Sequence, residues 1–117
     1  AAQKLGFSLI LTTDHCTINV KNPVEVVGDK ESSQNLRYKT GRSLKYPAKK
    51  VMEARDPESY KLPRLGLNSS FIFAKEANYF VYPKNYHHYA TLFQNTYQHG
   101  GISLEEILIP FVFLTPK

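Results

Sequence analysis

Cysteine, acidic residues and long apolar runs are all scarce in this chain of 117 residues. The single cysteine, Cys16, excludes an internal disulfide framework and predicts a reducing, cytoplasmic setting. The longest apolar run near the start, Leu9 to Leu11, is far too short to span a membrane, and no signal peptide is visible. The length excludes a two-domain enzyme, while 42% apolar residues suffice for a core and 21% charged residues are too few for a disordered tail.

The positive charge is concentrated in one segment. Fifteen Lys and Arg residues stand against ten Asp and Glu residues, which gives a net charge of +5. Residues 28–50, here called the basic segment, hold seven cations and two anions and so account for all of that net charge. A localised patch predicts a site for an anionic ligand rather than a uniformly cationic surface. Residues 28–47 show no clean period and predict a long, partly ordered loop with a functional role.

The apolar periodicity predicts an α/β fold. Residues 6–13 predict a strand that is buried on both faces of a sheet, and residues 111–114 predict a closing strand. Two aromatic, β-prone runs at residues 69–74 and 79–82 predict a β-hairpin. Aromatic side chains that recur every three to four residues predict one amphipathic helix over residues 84–98, ended by a Gly-Gly pair.

Shorter segments leave two interpretations open. Residues 17–20 and 24–27 predict either a hairpin or two short strands, and residues 50–55 predict a strand or a short helix. Pro57 is expected in the first position of a helical turn. Ser103, followed by two acidic residues, is expected to cap a short second helix.

Two short motifs carry residue types that bind metals. Asp14-His15 follows the first predicted strand, at the end of a strand where ligands gather in open α/β sheets. A carboxylate beside a neutral imidazole suits Zn²⁺ or Mn²⁺. His99 precedes Gly100-Gly101 and is a remote ligand that folding could bring close to Asp14 and His15. Taken singly, each motif also has a structural interpretation, an Asx-type turn for the first and a glycine-capped helix end for the second.

In combination the two motifs resemble one family. Thr-Thr-Asp-His after a strand, with His-Gly-Gly-Ile-Ser-Leu-Glu-Glu-Ile-Leu-Ile-Pro-Phe before the last strand, is similar to the C-terminal half of a PglZ domain, a branch of the alkaline phosphatase superfamily. Residues 35–42 and 73–83 resemble PglZ domains that are fused to the receivers of two-component response regulators. The resemblance implies a partial alkaline-phosphatase-like sheet, with residues 5–12 and 107–114 as strands, packed helices and an added β-hairpin. Residues 1–117 would form a single fragment of that domain.

The resemblance also implies a set of metal ligands. Asp14 and His15 would bind the ion beside the nucleophile, and His99 would bind a neighbouring ion, with zinc expected at both positions. Cys16 departs from the family pattern, which usually has glycine there, and a side chain restricts the backbone next to the ligands. The nucleophilic Thr or Ser and the remaining ligands are expected upstream of Asp14. A two-metal site needs both ions close together, and three ligands divided between two ions cannot hold them there. This chain is therefore expected to hold a partial site and to be inactive alone.

The implied function of the intact parent is metal-dependent hydrolysis or transfer of a phosphoester. Arg37, Lys39 and Arg42 in the basic segment are candidates to neutralise the phosphates of the substrate, the arginines through bidentate hydrogen bonds. The competing interpretation of these three residues is a solvated cationic loop.

Two other functions stay open from the sequence. The first is a non-catalytic signalling module with a degenerate metal site, which Cys16 and the aromatic helix favour. The second is nucleic-acid binding, since the cations alternate with Tyr38 and Tyr46. No recognised nucleic-acid motif is present, so nucleotides or oligonucleotides are expected as substrates rather than as stable partners. The expected protein partners are the receiver of the same parent chain and a second copy, bound through apolar surface that an incomplete domain exposes. No membrane partner is expected.

Overall fold

The computed structural model of the chain describes residues 2–29 and 34–116. Over these two ranges the backbone forms nine short strands, two α-helices and three 3₁₀ turns. The strands are β1 (Leu9–Thr12), β2 (Ile18–Asn19), β3 (Asn22–Glu25), β4 (Tyr38–Gly41), β5 (Val51–Ala54), β6 (Ser70–Ala74), β7 (Asn78–Val81), β8 (Tyr97–Gln98) and β9 (Phe111–Leu114). The helices are α1 (Tyr86–Phe93) and α2 (Leu104–Ile107), and the 3₁₀ turns are Gln3–Leu5, Ala48–Lys50 and Pro57–Tyr60.

Within the described ranges the strands form four small sheets. One sheet has three antiparallel strands in the order β4-β6-β5. The strands β3 and β7 pair in parallel, with Val24 opposite Phe80. The other two sheets are antiparallel pairs, β2 with β8 and β1 with β9. Most of these pairings join strands that lie far apart in the sequence, so the fold depends on long-range contacts.

The main core lies between the β3–β7 pair and the three-stranded sheet. Its buried apolar side chains are Val24, Val26, Val51, Ile72, Ala74 and Phe80. A second cluster packs β2 and β7 against α1 and consists of Ile18, Val20, Tyr79 and Val81, with Leu36, Tyr86 and Phe93 at its edge. β-Branched and aromatic residues dominate both clusters, as is typical of strands that pack on a core.

The β1–β9 ribbon is not covered by another layer. A strand over residues 6–13 was expected to be buried on both faces, and the structure places it at Leu9–Thr12 with every residue exposed. All four residues of β9 are exposed as well. The predicted strand is thus confirmed but its burial is wrong for this chain, because β9 is its single partner within residues 2–29 and 34–116. The radius of gyration, 18.3 Å, exceeds the roughly 13 Å of a compact domain of this length.

The predicted aromatic hairpin is wrong in its pairing. Both of its strands exist, as β6 and β7, but β7 pairs with β3 and β6 lies between β4 and β5. The backbone of residues 36–37 lies between them instead, because Phe80 N–H donates to Leu36 O and Ala74 N–H donates to Arg37 O, each at 2.8 Å. The basic segment is therefore not a continuous loop, since it contributes β4 to the sheet.

The predicted long helix is also shorter than expected. The helix α1 ends at Phe93, and Asn95 adopts a positive φ of 61° that breaks the helical path. Tyr97 and Gln98 then form β8, which pairs with β2. The 3₁₀ turn that begins at Pro57 and the capping box of Ser103 agree with the sequence. No helix in the described part of the chain is both long and apolar enough to cross a membrane.

Candidate metal centre

The pairing of β2 with β8 brings the two metal-binding motifs together. Asp14-His15 lies shortly before β2, His99 directly follows β8, and Ile18 stands opposite Gln98 in the ladder. The imidazole rings of His15 and His99 stack with their centroids 3.8 Å apart and their planes inclined by 12°. Two histidines that are distant in the sequence are therefore neighbours in the fold.

A local hydrogen-bond network fixes the Asp14-His15 turn. Asp14 Oδ1 accepts hydrogen bonds from the backbone N–H of His15 at 3.0 Å and from the Thr13 hydroxyl at 3.3 Å. The Thr13 hydroxyl also lies 3.1 Å from the carbonyl of His15. The pKa of Asp14 is lowered first by the positive charge that His15 carries when it is protonated, and also by hydrogen bonds from the backbone and from Thr13, which act in either state of the ring. Asp14 is therefore an exposed carboxylate that stays ionised, as a metal ligand must be.

The tautomer of His15 follows from its partner. Nδ1 of His15 lies 3.1 Å from the carbonyl oxygen of Cys16, and a carbonyl can only accept a hydrogen bond. The proton of the neutral ring is therefore on Nδ1, which leaves the lone pair on Nε2. That atom is 3.7 Å from Asp14 Oδ1. A histidine whose second ring nitrogen donates to a carbonyl is the usual arrangement of a metal ligand.

The stacked rings fit two ions better than one. The lone pairs of an imidazole lie in the ring plane, so two parallel rings cannot both direct a nitrogen at one ion between them. Residues 2–29 and 34–116 contain no group of three or more His, Cys, Asp or Glu side chains arranged around one ion. Asp14, His15 and His99 carry donor atoms of the kinds that Zn²⁺ binds, but they are too few to complete a two-metal site.

Glu106 connects both motif loops, a role that the sequence did not predict. Its carboxylate accepts hydrogen bonds from the backbone N–H groups of Gly101 and Ser103 at 3.0 and 3.1 Å, and from the Ser103 hydroxyl at 2.8 Å. Its backbone carbonyl accepts from Cys16 N–H at 3.0 Å. The capping box identified Glu106 as a helix residue, but its near-complete burial, with 3% exposed, was not visible in that pattern.

Arg37 has a different role from the predicted contact with substrate. Its side chain is completely buried, and Nε and one terminal nitrogen donate to the two oxygens of Glu106 at 2.9 and 3.0 Å. The other terminal nitrogen donates to the backbone carbonyl of Asn78. The guanidinium is thus hydrogen-bonded inside the core, and a substrate phosphate cannot reach it because the side chain is not exposed. The candidate substrate contact at Arg37 is corrected to a structural ion pair.

Lys39 and Arg42 lie in separate pockets. Lys39 and His99 line the same pocket of about 590 Å³, whose walls also carry Asn35 and the aromatic rings of Tyr89 and Phe93. Arg42 lines a smaller pocket of about 120 Å³. Of the three cations proposed to bind phosphate, Lys39 is the one that shares a pocket with His99. Two further charged residues of the basic segment, Lys30 and Glu31, fall outside the described residues.

Replacement of Lys39 by methionine should stabilise the protein at neutral pH. Burial lowers the pKa of Lys39 from 10.5 to about 8, so the charged form is disfavoured in the folded state. The shift sets an upper limit of about 3 kcal/mol on the gain in the free energy of unfolding at pH 7, and the loss of the contact that Lys39 makes reduces that gain. Between pH 8 and 10.5 the unfolded wild-type chain binds more protons at this residue than the folded chain does. The contribution of Lys39 to the free energy of unfolding therefore rises with pH over this range, and Lys39→Met should lack that rise. Urea unfolding at several pH values measures the free energy of unfolding of the wild type, of Lys39→Met and of the control Lys49→Met, which changes an exposed lysine. The same pH dependence in Lys39→Met and in the wild type between pH 8 and 10.5 would contradict the prediction.

A side chain at Gly101 should disturb the Glu106 carboxylate. A Cβ at that position would lie 2.5 and 2.8 Å from the two carboxylate oxygens, closer than van der Waals contact allows. We expect Gly101→Ala to cost about 1–3 kcal/mol in urea unfolding. Gly66→Ala is the matched control, because a Cβ there meets nothing within 4 Å, and it should change stability by less than about 0.5 kcal/mol. Equal stability of the two variants would contradict the contact.

Comparison with known families agrees with this architecture. The mixed α/β fold is consistent with a partial alkaline phosphatase-like domain. The model of one such family, the BREX system PglZ alkaline phosphatase-like domain, matches residues 1–114. The chain therefore belongs to the PglZ family, which is of the phosphoesterase type and whose superfamily usually binds divalent metals. A search of curated proteins gave no significant match.

The departure at Cys16 is compatible with the local backbone. Among the described residues, the non-glycine positions with positive φ are Lys61, Glu76, Asn85 and Asn95, and Cys16 is not one of them. Its thiol is free and half-buried, and its backbone N–H bonds to Glu106 as described above. The conformation of this residue does not require glycine.

Proposed function

We propose that the chain is the C-terminal part of a metal-dependent phosphoesterase or phosphotransferase domain. The observation that carries the proposal is the stack of His15 on His99, with Asp14 beside His15. The parent would be a bacterial two-component response regulator in the cytoplasm, with the receiver of the same chain as its regulatory partner. Its substrates would be nucleotide or oligonucleotide-like phosphodiesters, which need no stable nucleic-acid complex.

Each candidate residue has a defined part in this proposal. Asp14 and His15 Nε2 would hold one divalent ion, and His99 would hold the neighbouring one, with zinc as the proposed metal. The ions supply Lewis-acid stabilisation of charge on the phosphoryl group and activation of the nucleophile. Lys39 adds a positive charge from the wall of the same pocket as His99. The nucleophile and the remaining ligands would come from a preceding part of the domain.

The exposed β1–β9 ribbon supports the proposal that the domain is larger than this chain. Its apolar side chains remain 40–68% exposed, and both faces of the ribbon are available for packing. Exposed apolar surface of this kind is typical of an interface. The preceding part of the PglZ domain is the proposed cover, and the same surface would pair two copies of the isolated chain as a homodimer.

Removal of metal from the full-length protein tests the activity. We expect turnover of bis(p-nitrophenyl) phosphate to fall to background after dialysis against a chelator, because the ions provide the charge stabilisation. Addition of Zn²⁺ should restore it, and the fold should survive the cycle by circular dichroism. Turnover that is unchanged by metal removal would exclude the proposed mechanism.

A non-catalytic signalling module is the second candidate function. Cys16 favours it, because a half-buried thiol stands beside His15 where the family usually has glycine. The same experiment separates the two candidates. A full-length protein that binds no metal and hydrolyses no phosphoester, yet dimerises or engages its receiver, is the result that this alternative predicts.

A further inference from the structure

Glu106 is in contact with both loops that carry the candidate metal ligands. On one side its carboxylate accepts hydrogen bonds from the N–H groups of Gly101 and Ser103, which lie two and four residues after His99. On the other side its backbone carbonyl holds the N–H of Cys16, directly after His15. Glu106 therefore joins the two loops that carry the stacked histidines, although it is not itself one of the candidate metal ligands.

Arg37 fixes the position of that carboxylate. The guanidinium donates hydrogen bonds to both carboxylate oxygens of Glu106 and to the backbone carbonyl of Asn78, at the start of β7. Both charged side chains are almost fully removed from solvent, with side-chain exposures of 0% and 1%. Burial acts to raise the pKa of Glu106, but the hydrogen bonds from Arg37 and Ser103 and the charge of Arg37 outweigh it and hold the pKa below its usual value.

Asn35, two residues before Arg37, forms a second connection to the loop that carries His99. Asn35 Oδ1 accepts from the backbone N–H of Arg37 at 2.7 Å, and Asn35 Nδ2 donates to the carbonyl of His99 at 3.3 Å. Gly100 has a positive φ of 97°, and a Cβ there would lie 2.7 Å from Asn35 Nδ2. The loop that holds His99 is thus clamped by Asn35 on one side and by Glu106 on the other.

We infer that the buried Arg37–Glu106 pair positions His99 against His15, so that these two residues are positioning residues for the metal site. The inference rests on the proposed function, since it assigns the pair a role in metal binding. A buried ion pair is in itself weak evidence for a gain in stability, because desolvation offsets the attraction. The groups of the His99 loop that contact the Glu106 carboxylate are all hydrogen-bond donors. We therefore assign the pair the role of orienting that loop.

Two variants separate positioning from stability. Glu106→Gln keeps the size of the side chain but puts an NH₂ group among donors from Arg37, Gly101 and Ser103, so at least one donor pair clashes. The double change Arg37→Met with Glu106→Leu removes both charges together, which commonly leaves stability unchanged or increased. The control is Ile72→Val, which lowers stability in the core between β3–β7 and the three-stranded sheet, a cluster that contains no residue of either loop.

The test uses the full-length protein and two measurements. The first, on metal-free protein, is the NMR ring-proton shift of His15 and His99 with the exchange rate of the Gly101 amide. We expect both to change in Glu106→Gln and in the double variant, and to stay at wild-type values in Ile72→Val. The second is the Kd for Zn²⁺, which we expect to weaken at least about tenfold in both variants, as outer-sphere changes commonly do.

The outcomes are distinguishable from failure of the proposed function. A folded double variant with unchanged ring shifts, Gly101 exchange and zinc affinity would overturn the inference. The inference would also be overturned if zinc affinity fell in proportion to the loss of stability in every variant, Ile72→Val included. In that case the Arg37–Glu106 pair would affect zinc binding only through the stability of the fold. A wild-type protein that binds no zinc would refute the proposed metal site. In that case the metal-free shifts still decide whether the pair positions His99 against His15.

Discussion

Replacement of Arg37 by alanine should lower the free energy of unfolding by about 3–5 kcal/mol. The reason is that Glu106 would remain buried as an uncompensated charge, while the carbonyl of Asn78 would lose its donor. The loss is large for a cation that the sequence predicts to contact substrate or to lie in a solvated loop. Urea unfolding of the purified protein measures it directly.

Arg64 provides the matched control for that experiment. It also makes two carboxylate contacts, to Asp56 at 2.8 Å and Glu58 at 3.1 Å, but all three side chains are exposed by a third or more. Arg64→Ala should therefore cost less than about 1 kcal/mol. If Arg37→Ala were no more costly than Arg64→Ala, the buried pair between Arg37 and Glu106 would not exist in solution.

Local structure was predictable from the sequence where short-range chemistry decides it. The strands β1, β6, β7 and β9, the turn at Pro57 and the capping box at Ser103 follow from apolar runs, proline geometry and capping. Strand pairing was not predictable in the same way. The runs that became β6 and β7 look like a hairpin because they are adjacent in the sequence, but β7 pairs with β3 while β6 pairs with β4 and β5.

The charge of the basic segment illustrates the same limit. Seven cations in residues 28–50 indicate an anion site, yet composition cannot distinguish a cation that faces substrate from one that faces a buried carboxylate. Arg37 faces Glu106, whereas Lys39 lines the pocket of His99. The available signal was Gly101, since a glycine five residues before a capping glutamate leaves space for that carboxylate to approach the backbone.

The candidate site was accessible from sequence only through the combination of its two motifs. Neither Asp14-His15 nor His99 identifies a metal centre alone, and it is the long-range β2–β8 pairing that stacks the two imidazoles. The tautomer of His15 was not predictable, because it depends on the backbone carbonyl of Cys16.

The second large effect is expected at the ligands themselves. Full-length protein that carries Asp14→Ala together with His99→Ala should lose more than about 1,000-fold in kcat/KM toward a phosphodiester, because several kcal/mol of metal-derived stabilisation would be absent. The fold should persist, since the side chains of Asp14 and His99 are exposed and their contacts, the hydrogen bonds of the Asp14-His15 turn and the ring stack, lie outside the core. His88→Ala is the control, as it removes an exposed imidazole on α1, and its kcat/KM should match the wild type.

Zinc content tests the central claim most directly. Elemental analysis of the purified full-length protein should give two zinc ions per chain in the wild type and in His88→Ala. It should give fewer than two in His99→Ala and in Asp14→Ala, and fewest in the double variant. A double variant that retains both ions, or a metal-free wild type that still hydrolyses phosphodiesters at the normal rate, would contradict the assignment of Asp14, His15 and His99 as metal ligands.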